Sequence, residues 1–358
     1  MLRQIAGFIA CILSSCSLFA QPLTAYVNIQ NQVMVWDKGM LRKIDFLQPV
    51  DMKIGRTAIP YLDNSRSFKI YYNGGVKNVN IGFTNTFSVS DDLAIFLNAK
   101  SLNVFDRGTI KNLTTICDQY FLGDSVVLYL DGLLGAYKAY YNGQIYGIES
   151  FLPDSVLTAK VGDNIIAFNN FAHQFRIFYH GSIISQEEYP VNGFDAGRNT
   201  VAYVDINNQF KIFHNGQTFN IDNFPPTNFT VGDNMVAFVT ADGYFKVFYG
   251  DSVRNIGYFN PVFQVNDNIL AYKDAEGFFK VFYKGEITTL ENYLPNGFRA
   301  QYNSLAYVSN TNVLRMFSEG EVYEVTSADV DNWELDYDVI KYQIGQGMFK
   351  VYYKGTEY

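Results

Sequence analysis

Residues 231–264 read V-G-D-N-M-V-A-F-V-T-A-D-G-Y-F-K-V-F-Y-G-D-S-V-R-N-I-G-Y-F-N-P-V-F-Q. Residues 265–299 say nearly the same: V-N-D-N-I-L-A-Y-K-D-A-E-G-F-F-K-V-F-Y-K-G-E-I-T-T-L-E-N-Y-L-P-N-G-F-R. Self-similarity at a fixed period of about 20–50 residues is the mark of a repeat architecture. Working outward in both directions, units begin near Ile54, Val89, Leu122, Val161, Ala196, Val231, Val265, Ala300 and Leu335. A further unit, Leu23 to Lys53, precedes them without its opening strand, and the last breaks off within its fourth strand at Tyr358.

Each unit carries four short strand signals. In the unit at Val161 they are Thr158 to Val161, Ile165 to Asn169, Gln174 to Tyr179 and Ser182 to Gln186. A glycine follows the third strand in most units, as in Asn142-Gly143, Asn215-Gly216 and Lys284-Gly285, where a tight hairpin needs positive φ. The third strand repeats an apolar-cation-apolar-aromatic pattern, as in Phe210-Lys211-Ile212-Phe213 and Phe245-Lys246-Val247-Phe248. Such a strand is apolar on both faces along part of its length. A sandwich strand keeps one wet face, whereas a blade stacked between two copies of itself has none. The units show no helical period, which excludes a helical solenoid, and a parallel β-helix has a shorter rung without the hairpin glycine. The expected fold is all-β: a β-propeller of four-stranded antiparallel blades with a repeat of about 35 residues. One ring of eight to ten blades is preferred over two smaller rings joined at the longer unit around Phe151 to Lys160. Strands from the two ends sharing one blade are the usual way to close such a ring and remove its exposed edges.

The core pattern seen in Val236 to Phe248 resembles the blade of TolB-type periplasmic propellers, although the unit here is shorter. The resemblance implies a propeller in the periplasm and assigns no functional residue. The leader ending Phe19-Ala20-Gln21 and the Tyr/Asn-rich repeats also look like envelope proteins of bacteria with type 9 secretion.

Residues 1–20 read as a secretory signal peptide: Arg3, an apolar run from Ile5 to Leu13, and a small residue before Gln21. The alternative is Leu13-Ser14-Ser15-Cys16, which resembles a lipobox and would leave a lipid anchor on Cys16. Residues 21–358 are then one repeat domain, and beyond the leader no run approaches the ~20 apolar residues of a membrane-spanning helix. The formal charge of −8 argues against a general nucleic-acid binder, which carries a basic face. After removal of the leader Cys117 is the sole thiol, best read as a small buried hydrophobe.

Chemistry is sparse. The three histidines, His173, His180 and His214, occupy loop or hairpin positions and read as solvated turn residues. No nucleophile elbow, zinc-binding helix or phosphate-cradling loop is present, so no catalytic residue, cofactor or metal is assigned. Asp91, Asp124, Asp163, Asp233 and Asp267 recur at one blade position and read as turn formers whose carboxylates bond backbone N–H groups two residues on. Asp329, Asp331 and Glu334, beside Trp333, read as a solvated acidic loop. The recurrent cation of the third strand (Lys69, Lys138, Arg176, Lys211, Lys246, Lys280, Arg315, Lys350) reads as a strut reaching an acid of the adjacent blade. Departures from the repeat are better places for a site. Cys117 to Tyr120 and Phe151 to Asp154 lengthen loops, Phe224, Phe259 and Tyr293 recur after the fourth strand, and Trp333 stands beside the acidic run outside the pattern. Phe151, Phe224, Phe259, Tyr293 and Trp333 are therefore the candidate contacts for a protein partner. The expected function is a non-enzymatic periplasmic or envelope scaffold for protein interaction, such as a subunit of an outer-membrane secretion or transport complex. The alternative is a propeller that binds or acts on carbohydrate.

Overall fold

A computed structural model describes residues 22–358 except 80–82, 151, 153, 154 and 346. The leader 1–20, Cys16 and Phe151 lie outside the described residues. The described residues form one ring of ten antiparallel sheets, nine with four strands and one with three, and no helix. Blade one runs over 24–45, and the following blades over 51–78, 84–114, 120–150, 158–187, 193–222, 228–258, 263–291, 298–326 and 332–357. Strands within each blade pair in sequence order, and from blade five to blade ten the first strands of neighbouring blades touch, which places them around the axis. No helix of the described residues is long and apolar enough to cross a membrane.

The second and third strands carry the core. In blade seven the second strand, Met235–Val239, is buried at every position, while the fourth, Ser252–Tyr258, is exposed at its start. Hydrophobic clusters lie between blades rather than within them: Ala202, Phe210 and Ile212 of blade six pack with Val236, Phe238 and Phe248 of blade seven. A single sheet of this length cannot bury both faces, so stacking supplies the second one. The third-to-fourth strand hairpins close on two residues of positive φ, as at Asn215 (φ 49°) and Gly216 (φ 86°). That is the twist that two-residue hairpins favour.

A β-bulge recurs between the first two residues of the third strand, as at Phe210/Lys211 and Phe279/Lys280. It stands an acid at the end of the fourth strand, and the next blade's cation reaches for it. Lys69 pairs with Asp45 (3.0 Å), Lys211 with Glu187 (2.9 Å) and Arg315 with Glu291 (2.6 Å), each acid belonging to the preceding blade. The cross-blade expectation does not hold for the whole row. Lys138 and Lys280 reach Asp131 and Asp274 of their own second-to-third strand loop, and Lys350 reaches Glu357 of its own fourth strand. Lys246 sits over the Tyr244 ring at 5.7 Å and forms no ion pair among the described residues.

Closure also departs from expectation. The first blade has three strands and the last has four of its own, so no described sheet mixes the two ends. Side chains seal the seam instead. Tyr26 stacks on Phe349 (4.8 Å), and Trp36 packs on Tyr353 (5.0 Å) and Tyr358 (5.4 Å). The buried Lys341, where the other late blades carry alanine, donates to the Ala25 carbonyl at 2.9 Å and pairs with Glu334 (2.9 Å) and Asp336 (3.3 Å). Asp336 in turn accepts the Thr24 hydroxyl at 2.6 Å. Glu334 is thus a seam residue rather than part of a free acidic loop.

Candidate interaction face and hub

Alternating strands give the ring two unlike faces. First-to-second strand turns and third-to-fourth strand hairpins emerge on one face, here called the turn face. Second-to-third strand loops and the links between blades emerge on the other, the connection face. Exposed large apolar side chains concentrate on the connection face, among them Phe46, Tyr189, Ile206, Phe224 and Val262. Toward the turn face the exposed ones are single residues just after a hairpin, such as Met40, Ile183 and Ile287.

Blade four carries the densest part. Its second-to-third strand loop, Gly132-Leu133-Leu134-Gly135, departs from the repeat, and Leu133 and Leu134 are each 66% exposed. Ile116 and Val156, in the links on either side, are exposed too. One residue ties the three loops together: the Tyr137 hydroxyl donates to Gln119 Oε1 (3.1 Å) and accepts from the Leu157 amide (3.3 Å). Ile116 lies against Gly132, where an added Cβ would stand 2.7 Å from its side chain. Apolar tips held on a hydrogen-bonded frame form a preorganised contact surface.

The sequence-derived contacts fall into different settings. Phe224 is 66% exposed on the connection face. Phe259 packs at a blade corner, 5.7 Å from the Phe245 ring and 6.5 Å from Tyr272. The Tyr293 hydroxyl accepts the Asn310 amide at 2.6 Å. Trp333 lines a cleft of about 390 Å³ with Asn296, Gly297, Asn310 and Asn312. The Leu133-Leu134 tip was missed because each blade was measured against the repeat through its charged and aromatic residues. The available signal was two adjacent leucines between glycines, directly after Asp131.

On the turn face the five recurrent aspartates converge at the hub. Their carboxylates do not cap their own turns. Asp124 accepts Arg198 Nη2 at 2.9 Å, Asp233 accepts Arg198 Nε at 3.1 Å, and Asp267 accepts the Tyr302 amide of the next blade at 2.6 Å. Asp163 Oδ2 is buried with Arg198 Nε 3.4 Å away, but without an aligned hydrogen bond. The turn-capping role falls to another aspartate, at the start of the second-to-third strand loop: Asp205 Oδ1 accepts the Asn207 and Gln209 amides. Burial, then the neighbouring Asp124, pushes Asp91 up to about 8. Burial, then Asp163, does the same to Asp124, and burial with Asp163 and Asp91 takes Asp267 to about 7. Oxygens of Asp124, Asp163 and Asp267 lie within 4.8 Å of one another, the kind of donor set that a hard cation takes, but Arg198 pairs with two of the three.

Neighbouring hub turns also bond to each other. Asp163 N donates to the Gly197 carbonyl (3.3 Å) and Asp233 N to the Asp267 carbonyl (2.6 Å). Asn164 and Asn199 link side chains at 2.7 Å. The glycine before Asp124, Asp163 and Asp233 is required by this close approach: a Cβ on Gly162 would stand 2.3 Å from the Gly197 carbonyl oxygen. His214 is not solvated. It is 5% exposed, its Nδ1 bonded to the Thr200 hydroxyl (2.9 Å) and its Nε2 to the Asn215 amide (2.7 Å). Burial lowers its pKa. With Asn215, Asn234, Tyr249, Asn268, Lys284 and Asn303 it lines a polar cleft of about 410 Å³.

A family model described as the 10-bladed beta propeller domain matches residues 17–358. No curated protein matches the chain. Similar solved structures include the computationally designed Ika8 protein, at 16% identity and TM-score 0.35, covering 76% of this chain and 96% of that one. Kluyveromyces lactis Hsv2p is similar at 13% identity and TM-score 0.31, covering 68% and 97%. Yeast RCC1 (Prp20), bound to Kap60, is similar at 12% identity and TM-score 0.31, covering 76% and 70%.

Proposed function

The chain belongs to the family of the 10-bladed beta propeller domain, and on that premise we propose that it is a non-enzymatic scaffold whose connection face docks a protein partner. One observation carries the reading: most of the exposed large apolar side chains gather on the connection face, whereas those toward the turn face are single residues at the start of the fourth strands. The Leu133-Leu134 tip, framed through Tyr137, is the centre of the proposed contact. Burying the two leucines would contribute about 1.5–3 kcal/mol each to association, before the costs of ordering are met. In this reading residues 1–20 export the chain, and it works in the periplasm as part of an outer-membrane secretion or transport complex. The apolar leader supports export. The repeats that fill the described chain support a scaffold, since the hub aspartates belong to the blades.

Crosslinking with mass spectrometry in intact cells tests this. Crosslinks to an envelope protein should map to the blade-four loops and weaken in Leu133→Asp/Leu134→Asp. A partner crosslinked only through the turn face, unaffected by those changes, would refute the placement. The carbohydrate reading retains one supporting observation, the amide-and-tyrosine cleft around His214 and Asn234, and a glycan array with Asn234→Ala and Asn268→Ala tests it.

A further inference from the structure

Charge divides along the ring. Residues 22–114, blades one to three, hold eleven Lys/Arg against seven Asp/Glu, a net +4 in a chain of net −8. Residues 115–358 hold fifteen against twenty-eight, a net −13. At the surface the contrast sharpens: in blades one to three nine of the cations are exposed and only two of the acids, Asp51 and Asp92.

The cations on the outer rim are held in place by neutral oxygens. Lys38 Nζ donates to Asn73 Oδ1 (3.2 Å), Lys77 Nζ to the Gly108 carbonyl (3.0 Å) and Lys111 Nζ to the Gly143 carbonyl (2.9 Å). Each bond reaches the hairpin of the next blade, so the row follows the rim at one cation per blade. These three, with Arg42, form no ion pair among the described residues, and their charge is therefore uncompensated. Met40 (51% exposed), Leu41 and Val76 stand among them on the same outer strands.

We infer that the outer rim of blades one to three lies against an anionic lipid surface. Cations interleaved with exposed aliphatic side chains supply both signals that stable peripheral binding uses. The rim is a convex edge of outer strands; a bilayer accepts scattered apolar groups without a matching groove, whereas a protein partner wants a packed, complementary patch. The N-terminal segment, with its apolar run from Ile5 to Leu13, also joins the ring in this sector, at Pro22. The acidic remainder is repelled by the same surface, which fixes the orientation of the disc: basic rim down, blades five to nine away from the lipid.

Vesicle co-sedimentation of the full chain tests the inference, comparing phosphatidylcholine vesicles with vesicles containing phosphatidylglycerol. Binding should favour the anionic vesicles and weaken with added salt. Arg42→Glu/Lys77→Glu/Lys111→Glu should reduce it about tenfold or more, with the melting curve kept as a check on folding. Met40→Ser/Leu41→Ser, which leaves the charge intact, should weaken binding by a smaller factor. All variants keep the same N-terminal segment, so the differences report on the rim. Equal binding of the folded charge variant would overturn the inference, as would indifference to lipid charge. Retention on poly-glutamate without vesicle binding would overturn it in favour of an acidic protein.

Discussion

Lys211 and Glu187, 24 residues apart in sequence and in neighbouring blades, meet at 2.9 Å, and the Tyr203 hydroxyl donates to the same carboxylate oxygen at the same distance. Asp205 completes the group at 2.8 Å from Lys211 Nζ. Burial acts to raise Asp205, but the hydrogen bonds from Lys211 and the Gln209 amide outweigh it and hold the carboxyl below its usual range. Lys211→Met should therefore destabilise the ring by about 1–3 kcal/mol, the cost of leaving partly buried carboxylates unpaired. Lys246→Met, at the same blade position without an ion pair, should cost about 0.5 kcal/mol or less. Thermal melts of both variants measure the difference, and equal losses would deny the cross-blade contact its role.

Stability should fall as pH rises through neutrality. Asp91 and Asp124 are pushed up to about 8 in the folded ring, mainly by burial, against an ordinary value of 3.8. Between those values the folded state holds protons that the unfolded chain has released, so raising the pH favours unfolding. Tm should decline from about pH 5 to about pH 9, and Asp124→Asn should flatten the slope. At the acid end Asp205 and Asp274, depressed in the folded state, lose their contribution as pH falls below about 4.

Arg198→Leu should do more damage than any single aspartate change. The guanidinium pairs with Asp124, Asp163 and Asp233, and its removal leaves buried carboxyl groups without their charged partner. Breaking a buried ion cluster from one side costs about 3–5 kcal/mol. A double variant, Arg198→Leu with Asp163→Asn, should recover part of the loss. Denaturant titration of the pair distinguishes this from general hub disorder, which would not be rescued.

Gly162→Ala should cost about 3 kcal/mol or more. Its Cβ would meet the Gly197 carbonyl oxygen at 2.3 Å and the Ala196–Gly197 peptide carbon and nitrogen at 2.8 and 2.9 Å, and backbone cannot swing aside as a long side chain can. Gly143→Ala tests a different requirement, the positive φ of 80° with open space around it, and should cost less.

Fold class was open to reading because the blade repeats its own instructions. Phe-Lys-Ile-Phe in the third strand and Asn-Gly after it recur at constant spacing, and local chemistry at that scale decides hairpin and register. Even the missing opening strand before Thr24 was visible. What could not be read were relations between blades. Nothing local to Gly162-Asp163-Asn164 says that its carboxylate leaves its own turn for Arg198, since the arginine replaces the expected aspartate in the next blade. Likewise Lys341 stands where other late blades have alanine, but its partner Ala25 is 316 residues distant. The exposed tip at Leu133 and Leu134 was legible in principle; position in the repeat drew attention to Phe224 and Trp333 instead.

The seam where blade ten meets blade one has a mechanical consequence. Around the rest of the circle covalent links carry tension from sheet to sheet, but between blades ten and one side chains do so: stacked rings, the Lys341 ammonium and the Thr24–Asp336 hydrogen bond. The disc is in effect a split washer. Under load or heat its gap is the place to part first, and its circumference can widen there by a small amount without any backbone ladder being torn.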